Sequence, residues 1–185
     1  MLGDVLEVLA QERTIAQTFV VTADTDVAQV ATSRGLQTIA EPQATGLNAG
    51  VEAGLAAASR MRFARALVLP ADLPLLSAGD LARLVAASEP AGRPHVTLVP
   101  AGDGDGTNAL LVSPPDALVP RFGPGSFLAH LGQALGRRLD LHVLHLASLA
   151  VDIDTPGDLV HLEKLARYSF LRSPDDGERV PSPTG

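Results

Sequence analysis

No cysteine occurs anywhere in the 185 residues. A disulfide framework and a thiolate metal site are both excluded, and the chain is expected to be cytoplasmic. Tryptophan is also missing and aromatic residues make up only 3%, so the 46% of hydrophobic residues must build a core mainly from Ala, Val and Leu. No apolar run approaches the roughly 20 residues that cross a bilayer. The N-terminus has no basic segment leading into an apolar one, so neither a membrane nor a secretory signal is expected. Lys and Arg number 14 against 21 Asp and Glu, a formal charge of -7. Nucleic acid is not an expected partner, because neutralising its phosphates needs clustered basic residues. An anionic substrate would have to be held locally, by a metal, by backbone amides or by a few Arg. No Gly-rich Walker-type loop and no compelling Ser, His, Asp order appears. Nothing suggests a covalent nucleophile.

The length is one domain's worth, enough to bury about two-thirds of the unfolded surface. Short apolar strands alternate with helical stretches. Helices are predicted over 2–11, 25–34, 48–60, from Ser77 onward, over 126–138 and over 155–167, with Gly35 closing the second. Ser77 with Asp80 three residues on makes a capping-box pattern. Strands are predicted over 18–22, 36–40, 66–69, 95–100, 108–113 and 141–146, the fourth and fifth adjacent to each other. Such alternation indicates an α/β fold with a mostly parallel sheet covered on both faces, three layers in all. A single domain over 1–172 is expected. The remaining 173–185, rich in Pro, Gly, Asp and Ser, reads as a disordered tail.

Two acidic segments stand out. Ala66 to Leu69 is an apolar strand that stops at Pro70-Ala71-Asp72-Leu73-Pro74, which puts Asp72 just past the carboxyl end of a buried strand. Open α/β sheets bind ligands at that edge. Asp and Pro are also ordinary turn residues, so Asp72 reads either as a turn former or as a ligand for a divalent cation such as Mg²⁺. In Val151-Asp152-Ile153-Asp154-Thr155-Pro156 an extended backbone would point Asp152 and Asp154 the same way. Thr155, Pro156 and Asp158 also make a good helix start by themselves. Asp158 is assigned to that start, and Asp152 and Asp154 are open to either role.

Three loops complete the candidate set. Asp103-Gly104-Asp105-Gly106-Thr107-Asn108 reads from its residues as a hairpin turn. Phe122-Gly123-Pro124-Gly125-Ser126-Phe127 puts two glycines and a Ser at a helix start, either as an anion site of bare N–H groups or as a plain Ser N-cap. His130, one turn on, is able to contact an anion, although a lone His is more often packed or solvated. Gly46-Leu47-Asn48 opens another helix, with Asn48 either a cap or a reader of a base edge.

Taken together and in order, Ala71-Asp72-Leu73-Pro74, Gly106-Thr107-Asn108-Ala109-Leu110-Leu111, Phe122-Gly123-Pro124-Gly125-Ser126-Phe127 and Asp152-Ile153-Asp154-Thr155-Pro156 resemble the 2-phospho-L-lactate guanylyltransferase family, whose actinobacterial members are also known as phosphoenolpyruvate guanylyltransferases. The resemblance runs from Leu2 to about Leu165. Asp-Leu-Pro and Asp-Thr-Pro recur in other nucleotidyltransferases, so the Gly106 and Phe122 motifs are the specific part.

The resemblance implies a GT-A-like nucleotidyltransferase fold and transfer of GMP from GTP to phosphoenolpyruvate or 2-phospho-L-lactate, with release of diphosphate, in coenzyme F-420 (deazaflavin) biosynthesis. Asp72 with Asp152 or Asp154 would hold Mg²⁺. Thr107, Asn108, Gly123, Gly125 and Ser126 would hold the phospho-acid, and Gly46, Leu47 and Asn48 would lie near the nucleotide. The chain departs from the family at its start: members carry a strand and a Lys- and Arg-bearing triphosphate loop before the helix that begins here at Leu2. The resemblance therefore implies an N-terminally truncated domain whose first strand is missing and whose neighbouring strands lie unpaired at a buried edge. Such an edge favours association, and a homodimer is the assembly expected. Two other readings stay open, a related enzyme acting on a sugar phosphate or cofactor precursor, and a non-catalytic remnant that binds a phospho-acid or a partner protein.

Overall fold

Capping residues set the helix boundaries. In the computed structural model, which describes residues 2–41, 46–87 and 93–150, α1 is Leu2–Gln11 and α2 is Thr25–Ser33. The Asp24 carboxylate starts α2 by accepting the N–H groups of Asp26 and Val27. Gly35, at φ 73°, closes it as predicted. Helix α3 is Leu47–Arg60, α4 is Ala78–Ala86 and α5 is Ser126–Gly136. Ser77 Oγ accepts the N–H of Asp80 at 3.1 Å at the start of α4. The return half of the capping box is replaced, because the Asp80 carboxylate accepts the Ser148 hydroxyl at 2.8 Å and pairs with Arg83 at 3.1 Å.

The strands are β1 (Phe19–Thr22), β2 (Gln37–Ala40), β3 (Ala66–Val68), β4 (His95–Pro100), β5 (Thr107–Ser113) and β6 (Asp140–Val143). β6 ends earlier than the sequence predicts, since the chain turns into a 3-10 segment over Ala147–Leu149. The predicted helix over 155–167 and the tail over 173–185 lie outside the described residues.

β1 and β2 form a parallel pair, and the other strands form a sheet in the order β3-β5-β4-β6. β3 and β4 both run antiparallel to β5, whereas β6 runs parallel to β4. The α/β class and the layering agree with the sequence, but the larger sheet is mixed where a mostly parallel one is predicted. The reason is the connection of β4 to β5, residues 101–106. A parallel crossover needs a dozen residues or more, so this short link must make a hairpin.

Every residue of β4 and β5 is buried, as central strands covered on both faces require. Alternation then divides the core. Val99 and Ala109 pack with Val5 of α1 and Leu84 of α4. Leu98 and Leu110 pack on the other side with Leu55 of α3 and Ala134 of α5. Because β3 and β4 are both antiparallel to β5, with Val68 opposite Leu110 and Pro100 opposite Thr107, the carboxyl ends of β3 and β4 and the start of β5 share one edge. That is the edge where α/β folds place ligands. Among the described residues no helix is long and apolar enough to cross a membrane.

Candidate active site

Asp72 is half-buried in the turn that follows β3. Its neighbour Leu73 is fully buried against Val99, Ala109, Leu146 and Leu149, which anchors the turn at the shared edge. On the same edge Thr107 and Asn108 open β5, both buried. Asn108 Nδ2 donates to the carbonyl of Leu149 at 2.9 Å. Gly102, in the hairpin loop, donates its N–H to Ala150 O at 2.8 Å. A Cβ at Gly102 would stand 2.7 Å from that same oxygen. Only glycine permits this approach, which clamps residues 149 and 150 against the hairpin.

Thr107 is held by His130. Nδ1 of the imidazole lies 3.0 Å from Thr107 Oγ1, and Nε2 accepts the Arg121 N–H at 2.9 Å. An accepting ring nitrogen carries no hydrogen, so this network places the proton on Nδ1 and directs it to Thr107 Oγ1. The Thr107 hydroxyl hydrogen is then directed elsewhere. Burial lowers the pKa of His130 from 6.5 to about 4, so the ring is neutral at pH 7. The packed reading of this His is the right one.

The start of α5 differs in detail from the sequence reading. Gly125, at φ 71°, occupies the N-cap position and Ser126 is the first helical residue, so Ser126 is not the N-cap. Its hydroxyl, in a nearly fully buried residue, is directed by no capping bond. Gly123 has φ 110°, a second left-handed position that suits glycine. Asp105 Oδ2 accepts the Gly125 N–H at 2.8 Å, and the Asp105 carbonyl accepts the Phe127 N–H at 3.0 Å. Asp103 folds the loop by accepting the N–H groups of Asp105 and Gly106 at 2.8 and 3.4 Å. The hairpin turn is confirmed, and it also caps a helix 20 residues away. No local sequence signal reveals that second job.

Asn48 joins a third element to this surface. Its Nδ2 donates to Phe122 O at 3.0 Å and its Oδ1 accepts the Phe122 N–H at 2.7 Å. The cap of α3 is Gly46, so Asn48 is not the helix cap. One hydrogen of Nδ2 is not engaged by Phe122, since an amide nitrogen carries two. Leu47 beside it is exposed. Asp152 and Asp154 lie outside the described residues. Among those described, no group of three or more His, Cys, Asp or Glu is placed to hold a metal.

Hydrogen bonds join Thr107 to the Arg121–Phe122 segment through His130, Asn48 to Phe122, and Gly125 to the hairpin loop through Asp105, while Asn108 is tied separately to the Leu149 carbonyl. Known proteins resemble this chain. A family profile described as "Guanylyl transferase CofC like" matches residues 1–173. A phosphoenolpyruvate guanylyltransferase of Sphaerobacter thermophilus is 39% identical over 95% of this chain and 82% of its own. A 2-phospho-L-lactate guanylyltransferase of Methanothermobacter thermautotrophicus is 35% identical over 93% and 75%, and a 3-phospho-D-glycerate guanylyltransferase of Colwellia psychrerythraea is 37% identical over 80% and 68%. In fold, a nucleotidyl transferase structure from Methanothermobacter superposes with a TM-score of 0.70 at 16% identity, over 91% of this chain and 81% of that one. The chain belongs to the CofC-like guanylyl transferase family.

Proposed function

We propose that the protein transfers GMP from GTP to a three-carbon phospho-acid and releases diphosphate. A phosphate oxygen of the acid forms a bond to the α-phosphorus of GTP while the bond from that phosphorus to the bridging oxygen breaks. Diphosphate leaves with the electron pair. Such chemistry asks the protein mainly for alignment and charge neutralisation, which fits a site without an activated nucleophile.

The observation that carries this reading is the locked surface at the sheet edge. Thr107 and Ser126 offer hydroxyls beside the start of α5, where the Gly125 and Ser126 N–H groups are already taken by Asp105 Oδ2 and Gly123 O, and these hydroxyls would meet an anion without any clustered Lys or Arg. Thr107, Asn108, Gly123, Gly125 and Ser126 hold the phospho-acid on this account, and Gly46, Leu47 and Asn48 lie near the guanine or ribose. Asp72 with Asp152 or Asp154 would hold Mg²⁺, which supplies neutralisation of triphosphate charge when bound. The product class suits a step in coenzyme F-420 assembly.

The test is diphosphate release by the purified chain from GTP with phosphoenolpyruvate, 2-phospho-L-lactate or 3-phospho-D-glycerate, each in turn. Release with at least one of these acids, and none with hexose phosphates, supports the reading. Turnover with a hexose phosphate alone would assign the chain to the sugar-nucleotide enzymes. Binding without diphosphate release at high enzyme concentration would make it a non-catalytic binder.

A further inference from the structure

Glu41 lays its carboxyl group on the opening turn of α3 without bonding to it. The residue directly follows β2, and its N–H donates to Thr22 O at 3.0 Å, which carries the β1 and β2 ladder one position further and fixes where the side chain starts. From there the side chain crosses to the helix. A Cβ at Gly50 would stand 3.6 Å from both Cδ and Oε1 of Glu41. Glu41 is half-buried, yet among the described residues no hydrogen bond or ion pair engages its carboxylate. The dipole of α3 favours a negative charge at its start, but that leaves both oxygens without a donor, a cost for a polar group partly removed from water.

The surroundings say what kind of donor would answer them. Among the described residues Glu41 is the one carboxylate lining a recess that it shares with Leu47 of α3 and with Pro70 and Ala71 after β3. Pro70 and Ala71 lead directly to Asp72, so the recess adjoins the sheet edge that carries the site. Leu47 precedes Gly50 by three residues, which puts the two on one face of the helix, and its side chain is exposed. An apolar surface and an acceptor-only group therefore stand side by side.

Guanylyl transfer brings four kinds of group to the protein. The triphosphate and the phospho-acid are anionic and would be repelled by Glu41, which leaves the ribose and the base. Guanine alone among the common bases places two donors next to each other on its Watson–Crick edge, N1–H and the N2 amino group. Adenine and cytosine set a ring acceptor beside their amino group, and uracil flanks its N–H with two carbonyls. Two carboxylate oxygens match the guanine pair and no other. We infer that Glu41 is the residue that selects guanine, accepting N1–H on one oxygen and an N2 hydrogen on the other, with the flat face of the base against Leu47. A ribose contact would use hydroxyls that every nucleotide carries and would leave Leu47 without a ring to cover it. The assignment rests on the guanylyl-transfer reading, because it takes GTP as the ligand.

The experiment measures equilibrium binding of three triphosphates to the full chain with Mg²⁺: GTP, ITP, which lacks the 2-amino group, and XTP, which has a carbonyl in its place. GTP is expected to bind about ten- to a hundred-fold more tightly than ITP, as one hydrogen bond to a charged group predicts. Glu41→Gln keeps the side-chain size but turns an amide N–H toward position 2 of the base, so the preference is expected to move from GTP to XTP. A purely structural role would not produce that exchange. Equal binding of GTP and ITP by the unaltered chain would overturn the assignment without any variant. Equal weakening of GTP and ITP in Glu41→Gln, with no gain for XTP, would place Glu41 on the ribose or in the fold and overturn it too. Diphosphate release from GTP with the phospho-acids is followed separately: release alongside equal binding of GTP and ITP would sink the Glu41 role alone, whereas no binding of any of the three nucleotides would sink both readings.

Discussion

The imidazole of His130 and the hydroxyl of Thr107 are partners across 23 residues of sequence, 3.0 Å apart and both buried. Because the other ring nitrogen accepts the Arg121 N–H, the histidine cannot turn over without losing a bond. It acts as a fixed neutral donor that decides which way the Thr107 hydroxyl points. A histidine and a threonine that the sequence weighs separately are one positioning unit in the fold.

Replacing Thr107 by Val keeps the shape and removes the hydroxyl. The KM for the phospho-acid is expected to rise about tenfold, the ~1.4 kcal/mol of one hydrogen bond, with the KM for GTP much less affected. Stability should also drop by ~1–3 kcal/mol, since the Nδ1 hydrogen of His130 is left buried without its acceptor. Steady-state kinetics with each substrate varied separately, together with thermal unfolding, checks both effects. Equal rises in the two KM values would contradict a role specific to the acid.

His130 also sets a pH dependence. Its pKa in the folded protein is about 4, below the ordinary 6.5, so the unfolded chain takes up the proton first as pH falls. Its contribution is fully present above pH 6.5 and is lost progressively as pH drops toward 4. Urea midpoints measured from pH 7.5 to 4.5 should fall over that window, and His130→Gln, which cannot charge, should flatten part of the decline.

The carboxylate of Asp105 already sits on the Gly125 N–H at 2.8 Å, close to where the phospho-acid is proposed to bind. Asp105→Asn keeps an acceptor for that N–H and removes a negative charge beside an anion site. The KM for the acid should fall by at least about threefold, the effect expected of two charges about 5 Å apart even in water. A rise in KM instead would mean that the carboxylate matters chiefly for holding the loop.

For Asp72 the expectation is loss of function without loss of fold. Asp72→Asn should lower kcat by about 100-fold or more while leaving the unfolding midpoint within a degree or two. Near-normal turnover at saturating Mg²⁺ would remove Asp72 from the metal role.

Local chemistry made much of the fold legible. The Ser77 cap, the Gly35 stop and the Asp-Gly hairpin each depend on residues within a few positions of one another, and each is found where the sequence puts it. The details that escaped depend on distant partners. Asn48 looks like a helix-start residue until Phe122, 74 positions away, is placed against it. Gly125 takes the cap from Ser126 because the backbone there is left-handed and the Asp105 carbonyl, which accepts the Phe127 N–H, supplies the acceptor that a cap side chain would have offered. The sheet is mixed because residues 101–106 are too few for a crossover, a limit visible only once β4 and β5 are recognised as neighbours that pair. The candidate phospho-acid residues are named by the sequence; what joins them, through His130, Asp105 and Asn48, is tertiary.

The most direct test of guanylyl transfer uses GTP labelled at the α-phosphorus. With Mg²⁺ and each three-carbon phospho-acid in turn, label should move into a species containing both GMP and the acid, in step with diphosphate release. Label recovered only as free GMP, or retained entirely in GTP with all three acids, would contradict the account.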